Sequence, residues 1–424
     1  MLRRGPEFDR GCWRLGRARG RGSGAESGNW RMRGPMNGQN AGPRASRWKT
    51  SSTLDEQEAR NTFQIKWPEN YQGVAPLMGQ PEVLGSYSVD EDRKFLHDES
   101  QLDFIDMEYL PVDGEKKVHM DLNKGMDKFI DFSGGTDDSF RSLLQWILSN
   151  ECILKTHKSS SKLDADFISV RKTFSKIMGT PYCIRDTWTL SATEFKGSIY
   201  MKMYTEVENV ENHEVDPQVK KLSLYGHKFE HFMKGGKPEE NVVANEEYRC
   251  VLRMKVDQIS LIHASKLDFA DPEQFEEDFK DLNGFIMVSC AKEVKTPFSM
   301  KSYKKFKLNQ WWIRGILSGI PRCVIGYRND DGIVHTLKLL KTDEIPMMAE
   351  DEWKPNVCIN FFVSFLNFVK SKVREDPTAV HRFHRKPKGN IHWSKLPSSS
   401  HMTLLPSWFT EQLFSSKDTK NDCE

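Results

Sequence analysis

Four stretches of this 424-residue chain carry apolar side chains at the three-to-four spacing of an amphipathic helix. They are 138–150 (DSFRSLLQWILSN), 166–178 (DFISVRKTFSKIM), 219–233, with Leu222, Tyr225, Phe229 and Phe232 on one side, and 303–319, closed by Gly319 as a stop signal. The run VCINFFVSFLNFV at 357–369 is apolar on most sides but interrupted by Asn360, Ser364 and Asn367, and it is too short to span a bilayer. It reads as a buried helix. Alternation at 197–206 predicts a strand, and 248–256, 259–269, 284–290 and 321–328 also have strand composition. Helices and short strands intermix without regular β-α alternation and without internal repeats, which predicts an α+β fold.

Composition narrows the partners. Hydrophobic residues make up 38% of the chain, enough for a sizeable core, and the net charge is +2. That figure hides an asymmetry: residues 1–50 carry a balance of +9 and the remainder −7. The body is not a uniformly basic surface, so any anion site on it is local. Residues 1–60 are rich in Arg, Gly, Ser and Asn with few large aliphatics and read as a disordered basic arm. The arm lacks the amphipathic face of a transit peptide, and an RNA-attracting tail fits it better. Residues 61–414 read as one folded domain and 415–424 as a disordered tail. The eight cysteines form no C-x-x-C pair and read as reduced thiols. No apolar run reaches membrane-spanning length, so no membrane partner is expected.

Several stretches, taken in order, resemble the DXO-type decapping exoribonuclease family. They are EVLGSYSVDEDRKF (82–95), VRKTFSKIMGTPY (170–182), WTLSATEFKGSIYM (188–201) and GHKFEHFM (226–233), followed by NQWWIRGILSGIPRCVIGYRNDDGIV (309–334), WKPNVCINFFVSFLNFV (353–369) and LLPSWF (404–409). The resemblance implies two mixed β-sheets surrounded by helices, with a pocket between them and a restriction-nuclease-like core. It also implies hydrolysis of RNA 5′ ends, including incomplete and NAD caps. Members place an Arg, a Gly-x-x-x-Glu, a Glu-x-Asp, a Glu-x-Lys and a Gln in the pocket. The acids hold Mg²⁺ or Mn²⁺, which activates water and offsets phosphate charge.

Carried over position by position, the resemblance assigns Arg171 as the pocket arginine, Glu230 as the helix-borne acid and Arg93 as an upstream substrate contact. Asp138 falls near an acidic substrate-side position. The pattern then departs from the family. The Glu-x-Asp element reads Lys266-Leu267-Asp268, and the Gln after the paired tryptophans is Arg314. For the Glu-x-Lys element two registers compete. One uses Glu293-Val294-Lys295. The other keeps the spacing back from Trp311 and falls on Met287-Val288-Ser289, where Met287 and Ser289 ligate nothing. The second is favoured, because it gives Ile286, Val288 and Cys290 one clean apolar face, whereas the first places Lys292 on a packed face. Glu230 and Asp268 are then remnants of a metal site. An ammonium there repels a cation by about 4 kcal/mol per metal charge at ~4 Å and a dielectric of ~20. Lys266 can instead take the cation's place against phosphate, or pair structurally with Asp268.

Three function classes follow. The first is a protein that binds the 5′ end of single-stranded RNA with hydrolysis weak or lost, through Arg93, Asp138, Arg171, Lys266 and Arg314. The second is an active Mg²⁺- or Mn²⁺-dependent decapping and deNADding hydrolase that recruits Glu293 and Lys295. The third is a protein-interaction scaffold. The resemblance further implies association with a 5′→3′ exoribonuclease, a nuclear or nucleocytoplasmic location and no DNA specificity. HKFEH at 227–231 also fits an inverted zinc-peptidase pattern, but no third ligand is identifiable, and His227 and His231 read as helix-surface residues. The basic, aromatic-interleaved KSYKKFK (301–307) and HRFHRKPKG (381–389) read as solvated faces or as a path for RNA.

Overall fold

The structure is a computed structural model that describes residues 60–112, 114–126, 129–130, 139–155, 162–204, 217–275, 281–396 and 404–413. Asp138, residues 1–59 of the expected basic arm and the tail at 415–424 lie outside the described residues.

The strands, in chain order, are β1 (Thr62–Phe63), β2 (Glu82–Val89), β3 (Phe95–Leu96), β4 (Glu115–Asp121), β5 (Phe129–Ile130), β6 (Phe167–Val170), β7 (Trp188–Phe195), β8 (Ser198–Tyr204), β9 (Val242–Val243), β10 (Glu247–Val256), β11 (Ile259–Leu267), β12 (Phe269–Ala270), β13 (Phe285–Lys292), β14 (Arg322–Arg328), β15 (Ile333–Lys341), β16 (His381–Arg385) and β17 (Ile391–Lys395). They form a ten-stranded sheet, β1-β17-β16-β7-β8-β6-β11-β10-β2-β3, and a five-stranded sheet, β12-β13-β14-β15-β4, with β5 and β9 as a separate pair. Both large sheets are mixed: β6 runs parallel to β8 and β11, and β13 parallel to β14.

The helices that matter here are α1 (Ser139–Ser149), α2 (Arg171–Met178), α3 (Pro217–Met233), α4 (Asn309–Ser318), α5 (Pro355–Glu375) and α6 (Ser407–Gln412). The largest core lies between the sheets, joining Leu252 and Leu261 of the large sheet, Met287 and Ile325 of the small one, and the apolar faces of α2, α4 and α5. A second core packs α1 and α6 on Tyr87, Val251 and Ile262. A third packs α3, through Phe229 and Phe232, on Ile286, Val288 and Val324 of the small sheet.

One expected element divides in two. Residues 166–178 read as a single helix, but Phe167–Val170 form the fully buried strand β6, and the helix starts at Arg171. A strand with neighbours on both sides and layers on both faces must be apolar throughout, so its sequence shows no alternation. The division puts Arg171 at the first turn of α2, at the end of a central strand. The stretch 303–319 is helical as expected, with widened π-type turns over Tyr303–Leu308 before α4. Gly319 closes it at φ 67°, donating its N–H to the Gly315 carbonyl.

Two features set the height of the pocket floor. A Cβ on Gly326 of β14 would lie 2.5 Å from the Phe229 ring, so only glycine lets α3 sit this close to the small sheet. Asp268 separates β11 of the large sheet from β12 of the small one, so the chain crosses between sheets at that residue. No disulfide joins Cys183, Cys250, Cys290, Cys323 or Cys358, whereas Cys152 is disulfide-bonded, contrary to the reading of all eight as thiols.

Candidate functional site

Three elements converge where the chain crosses from one sheet to the other. Helix α3 brings Glu230, the end of β11 brings Lys266 and then Asp268, and α4 brings Arg314. The resulting ion pairs are crossed relative to the sequence motif. Lys266 does not pair with its neighbour Asp268; its Nζ donates to Glu230 Oε2 at 3.2 Å. Asp268 pairs with Arg314 and also accepts the Val288 N–H at 2.8 Å. Arg314 in turn donates to the Val288 carbonyl at 3.4 Å. Each of the two acids is therefore held by a cation from another element.

The electrostatics follow from these distances. Burial alone would raise the Glu230 carboxyl, but the Lys266 ammonium, the hydrogen bond and charge of His227, and Arg314 together hold it well below the usual carboxylate range. The His227 Nδ1 lies 3.6 Å from the same oxygen, Oε2. Burial would lower Lys266, but Glu230, Asp268 and Glu247 outweigh it and raise the ammonium above its ordinary value. Arg314 is likewise raised, because Asp268 overcomes its desolvation.

Behind this pair lies a second layer, of which the sequence reading singled out only Arg93. Glu247 on β10 accepts from Arg249 at 2.7 Å and faces Arg93 at 3.4 Å. Arg249 also donates to Ser139 Oγ at 2.7 Å, and Arg93 to the Asn245 carbonyl at 2.7 Å. Arg249 stands directly opposite Lys266 in the β10–β11 ladder. Like charges in that register repel, and Glu230 and Glu247 offset the repulsion from either side. Burial would raise Glu247, but Arg249, Arg93 and Lys266 outweigh it and hold its carboxyl low.

Arg171 is different. Among the described residues it makes no ion pair within 4 Å; one Nη donates weakly to Ser175 Oγ at 3.4 Å, and its buried Nε has no partner. Desolvation, followed by the nearby Arg314 charge, lowers the guanidinium to about 9, against a smaller attraction to Asp268. The buried His263 is pushed down to about 3 by desolvation and by Arg171, so it stays neutral and adds no countercharge. Counted with Arg171, the cations Arg93, Arg249, Lys266 and Arg314 outnumber their carboxylate partners Glu230, Glu247 and Asp268 by two, while Asp103 and Glu246, against Lys234, add acid to the lining of the adjoining cavity.

Glu230, Glu247, Lys266 and Asp268 line a cavity of about 220 Å³ together with His227, Asp103, Glu246 and Lys234. Glu293 and Lys295 are not part of it. Strand β13 ends at Lys292, which pairs with Asp330 at 2.5 Å, so the ammonium is half-exposed and satisfied. Glu293 and Lys295 pair with each other at 3.7 Å and line a separate cavity of about 430 Å³ beside Tyr303 and Tyr327. Met287 and Ser289, by contrast, flank the Val288 amide that Asp268 binds. Met287 is packed in the central core and Ser289 accepts from Trp311 Nε1 at 3.1 Å. His231 is tied to the Lys237 carbonyl at 3.0 Å. Among the described residues no group of three or more His, Cys, Asp or Glu side chains is arranged to hold a metal ion.

The depressed Glu230 carboxyl has a measurable consequence. A carboxylate held low in the folded state adds stability above its ordinary value of 4.5, and that stability is lost as pH falls through the folded value. The urea midpoint of the wild type is therefore expected to fall between about pH 6 and about pH 3, and to fall less steeply in Lys266→Met, which removes the main cause of the depression.

A family model for the RAI1-like PD-(D/E)XK nuclease matches residues 79–410. The decapping and exoribonuclease protein of Xenopus laevis is 28% identical over 361 residues, covering 81% of this chain and 88% of that relative. The structure of Candida albicans Rai1 in complex with pU5 and Mn²⁺ aligns with a TM-score of 0.67 at 22% identity, covering 80% of this chain and 97% of that one. S. pombe Rai1 in complex with 3′-FADP aligns with a TM-score of 0.63 at 22% identity, covering 78% and 99%.

Proposed function

The chain belongs to the RAI1-like PD-(D/E)XK nuclease family, and from that premise we propose that it recognises RNA 5′ ends in the family pocket with hydrolysis weak or lost. The observation that carries the proposal is the pair of crossed ion pairs, Glu230–Lys266 and Asp268–Arg314. In this family's chemistry a divalent cation would have to be held by several oxygen ligands at this point. Two acids remain, each already engaged by an ammonium or a guanidinium, and β13 offers Met287 and Ser289 beside them. The donor set does not fit Mg²⁺ or Mn²⁺.

The anion-binding half of the chemistry is retained. Lys266 lines the cavity, with Arg314 and Arg171 nearby, as cations for a terminal phosphate, which carries about −1.5 to −2 charges near neutral pH. The Candida albicans Rai1 structure, in complex with pU5 and Mn²⁺, supports the nucleic-acid reading by similarity of fold.

Incubation with 5′-monophosphorylated or NAD-capped single-stranded RNA in Mg²⁺ or Mn²⁺ is expected to give no more product than the Glu230→Ala/Asp268→Ala double variant. Mn²⁺ is expected to leave the melting temperature unshifted, since a ligand that does not bind the native state adds nothing to its stability. Saturable Mn²⁺ stabilisation together with cleavage lost in that double variant would replace this reading with an active hydrolase.

A further inference from the structure

Glu230 and Asp268 stand where a metal nuclease keeps its ligands, yet in this pocket their oxygens face protein cations. We propose that the two carboxylates now act as selectivity-determining counter-ions: they hold Lys266 and Arg314 back from weakly charged phosphates and release them only to a terminal phosphomonoester. This inference rests on the reading of the pocket as an RNA 5′-end site and assigns its acids a new role.

The argument is one of competition. An incoming phosphate must draw Lys266 from Glu230 Oε2, where the contact is 3.2 Å and is reinforced by His227 on the same oxygen. An internal phosphodiester brings one negative charge and two free oxygens. A terminal phosphomonoester brings nearly two charges and three acceptor oxygens. Diester, monoester and carboxylate all make charge-assisted hydrogen bonds, so it is the extra charge and third oxygen of the monoester that let it displace a carboxylate where a diester cannot. The second pair works the same way at lower exposure. Asp268 is only 2% exposed and fixed by the Val288 amide, so Arg314 turns toward a ligand only when that ligand offers comparable charge.

The geometry therefore favours chain ends over chain interiors with no shape filter required. It also fixes the direction of the mutational effect. Removing a metal ligand from a nuclease weakens function, whereas removing a counter-ion liberates a cation and strengthens indiscriminate binding. Glu230 and Asp268 act through Lys266 and Arg314 and are positioning residues in this account.

The test is equilibrium binding of one single-stranded RNA carrying either a 5′-phosphate or a 5′-hydroxyl, in EDTA, as a function of salt. The wild type is expected to prefer the 5′-phosphate. Glu230→Gln is expected to raise affinity for 5′-hydroxyl RNA on the order of tenfold, as suits one liberated charge-assisted contact, and so to narrow the ratio between the two RNAs. The salt dependence of 5′-hydroxyl binding is expected to steepen by about one unit. Glu230→Gln/Lys266→Met is expected to return 5′-hydroxyl affinity to the wild-type level, which a purely structural role for Glu230 would not do. Asp268→Asn, read out in the same way, covers the case in which Glu230→Gln does not fold. A wild type without end preference removes the 5′-end reading and this inference with it. A wild type that discriminates, beside folded variants that keep the wild-type ratio, removes this inference alone.

Discussion

Arg314→Met is expected to lower the free energy of unfolding by about 3–5 kcal/mol, the cost of leaving a buried carboxylate without its cation. The figure applies in full because Asp268 is 2% exposed, whereas Glu230, at 31%, can recover some hydration when Lys266 is lost. The hydrogen bond that remains to Asp268 after the substitution is from the Val288 N–H at 2.8 Å, a neutral donor, with Lys266 and Arg171 attracting it only from a distance. Asp268→Asn in the same background removes the charge while keeping an acceptor for that amide. The double variant Asp268→Asn/Arg314→Met is therefore expected to recover most of the loss. Urea unfolding of the two single variants and the double variant measures this directly as a coupling energy. Additive losses would mean that Arg314 supports the fold through packing rather than through Asp268, and the account of the pocket as a set of self-compensated charges would lose its main support.

That compensation could be read only in part from the sequence. The family order of motifs placed Arg171, Glu230, Lys266, Asp268 and Arg314 on their elements, and helical spacing through Phe229 and Phe232 gave α3 its inward face. The pairing of these residues was not legible. Lys266 and Asp268 are two apart, which on a continuous strand would put them side by side, and a Lys266–Asp268 bridge is the natural inference. The strand is not continuous: the chain leaves the large sheet at Asp268, so Lys266 reaches across to α3 and Asp268 to α4. Local sequence carries no signal for that crossing.

In the second layer, Glu247 and Arg249 were missed for a simpler reason. With the strand started at Tyr248, Glu247 falls outside it, and the same-face relation of Glu247 to Arg249 disappears. Opposite charges two apart at the start of an otherwise apolar strand were the available clue. Strand β6 was misread because Phe-Ile-Ser-Val is as compatible with the first turn of a buried helix as with a central strand, and only neighbours on both sides decide between them. Strand β13 ends at a satisfied, partly exposed Lys292–Asp330 pair, not at the packed face that the spacing argument supposed, and beyond it Glu293 and Lys295 line another cavity.

The other large effect is expected at Arg171, where stability and binding should move in opposite directions. Its guanidinium is desolvated, lies near Arg314 and Arg249, and has no ion-paired carboxylate among the described residues. A cation held in that state costs the folded protein free energy, and a bound phosphate is the group that would relieve it. Arg171→Met keeps the length of the stem and removes the charge. It is expected to leave the melting temperature unchanged or raise it, and to weaken 5′-phosphorylated RNA by at least tenfold, the loss of one charged contact. Arg171→Glu adds a negative charge to the same place and is expected to weaken it by about a hundredfold or more, with the salt dependence correspondingly shallower. Fluorescence anisotropy with labelled 5′-phosphorylated RNA, beside a thermal melt of each variant, reads both quantities. A structural arginine gives the opposite pattern, with lower melting temperature and intact affinity. Arg171→Met that melts early and binds as before would show that the surplus charge of the cluster serves the fold and not an RNA end.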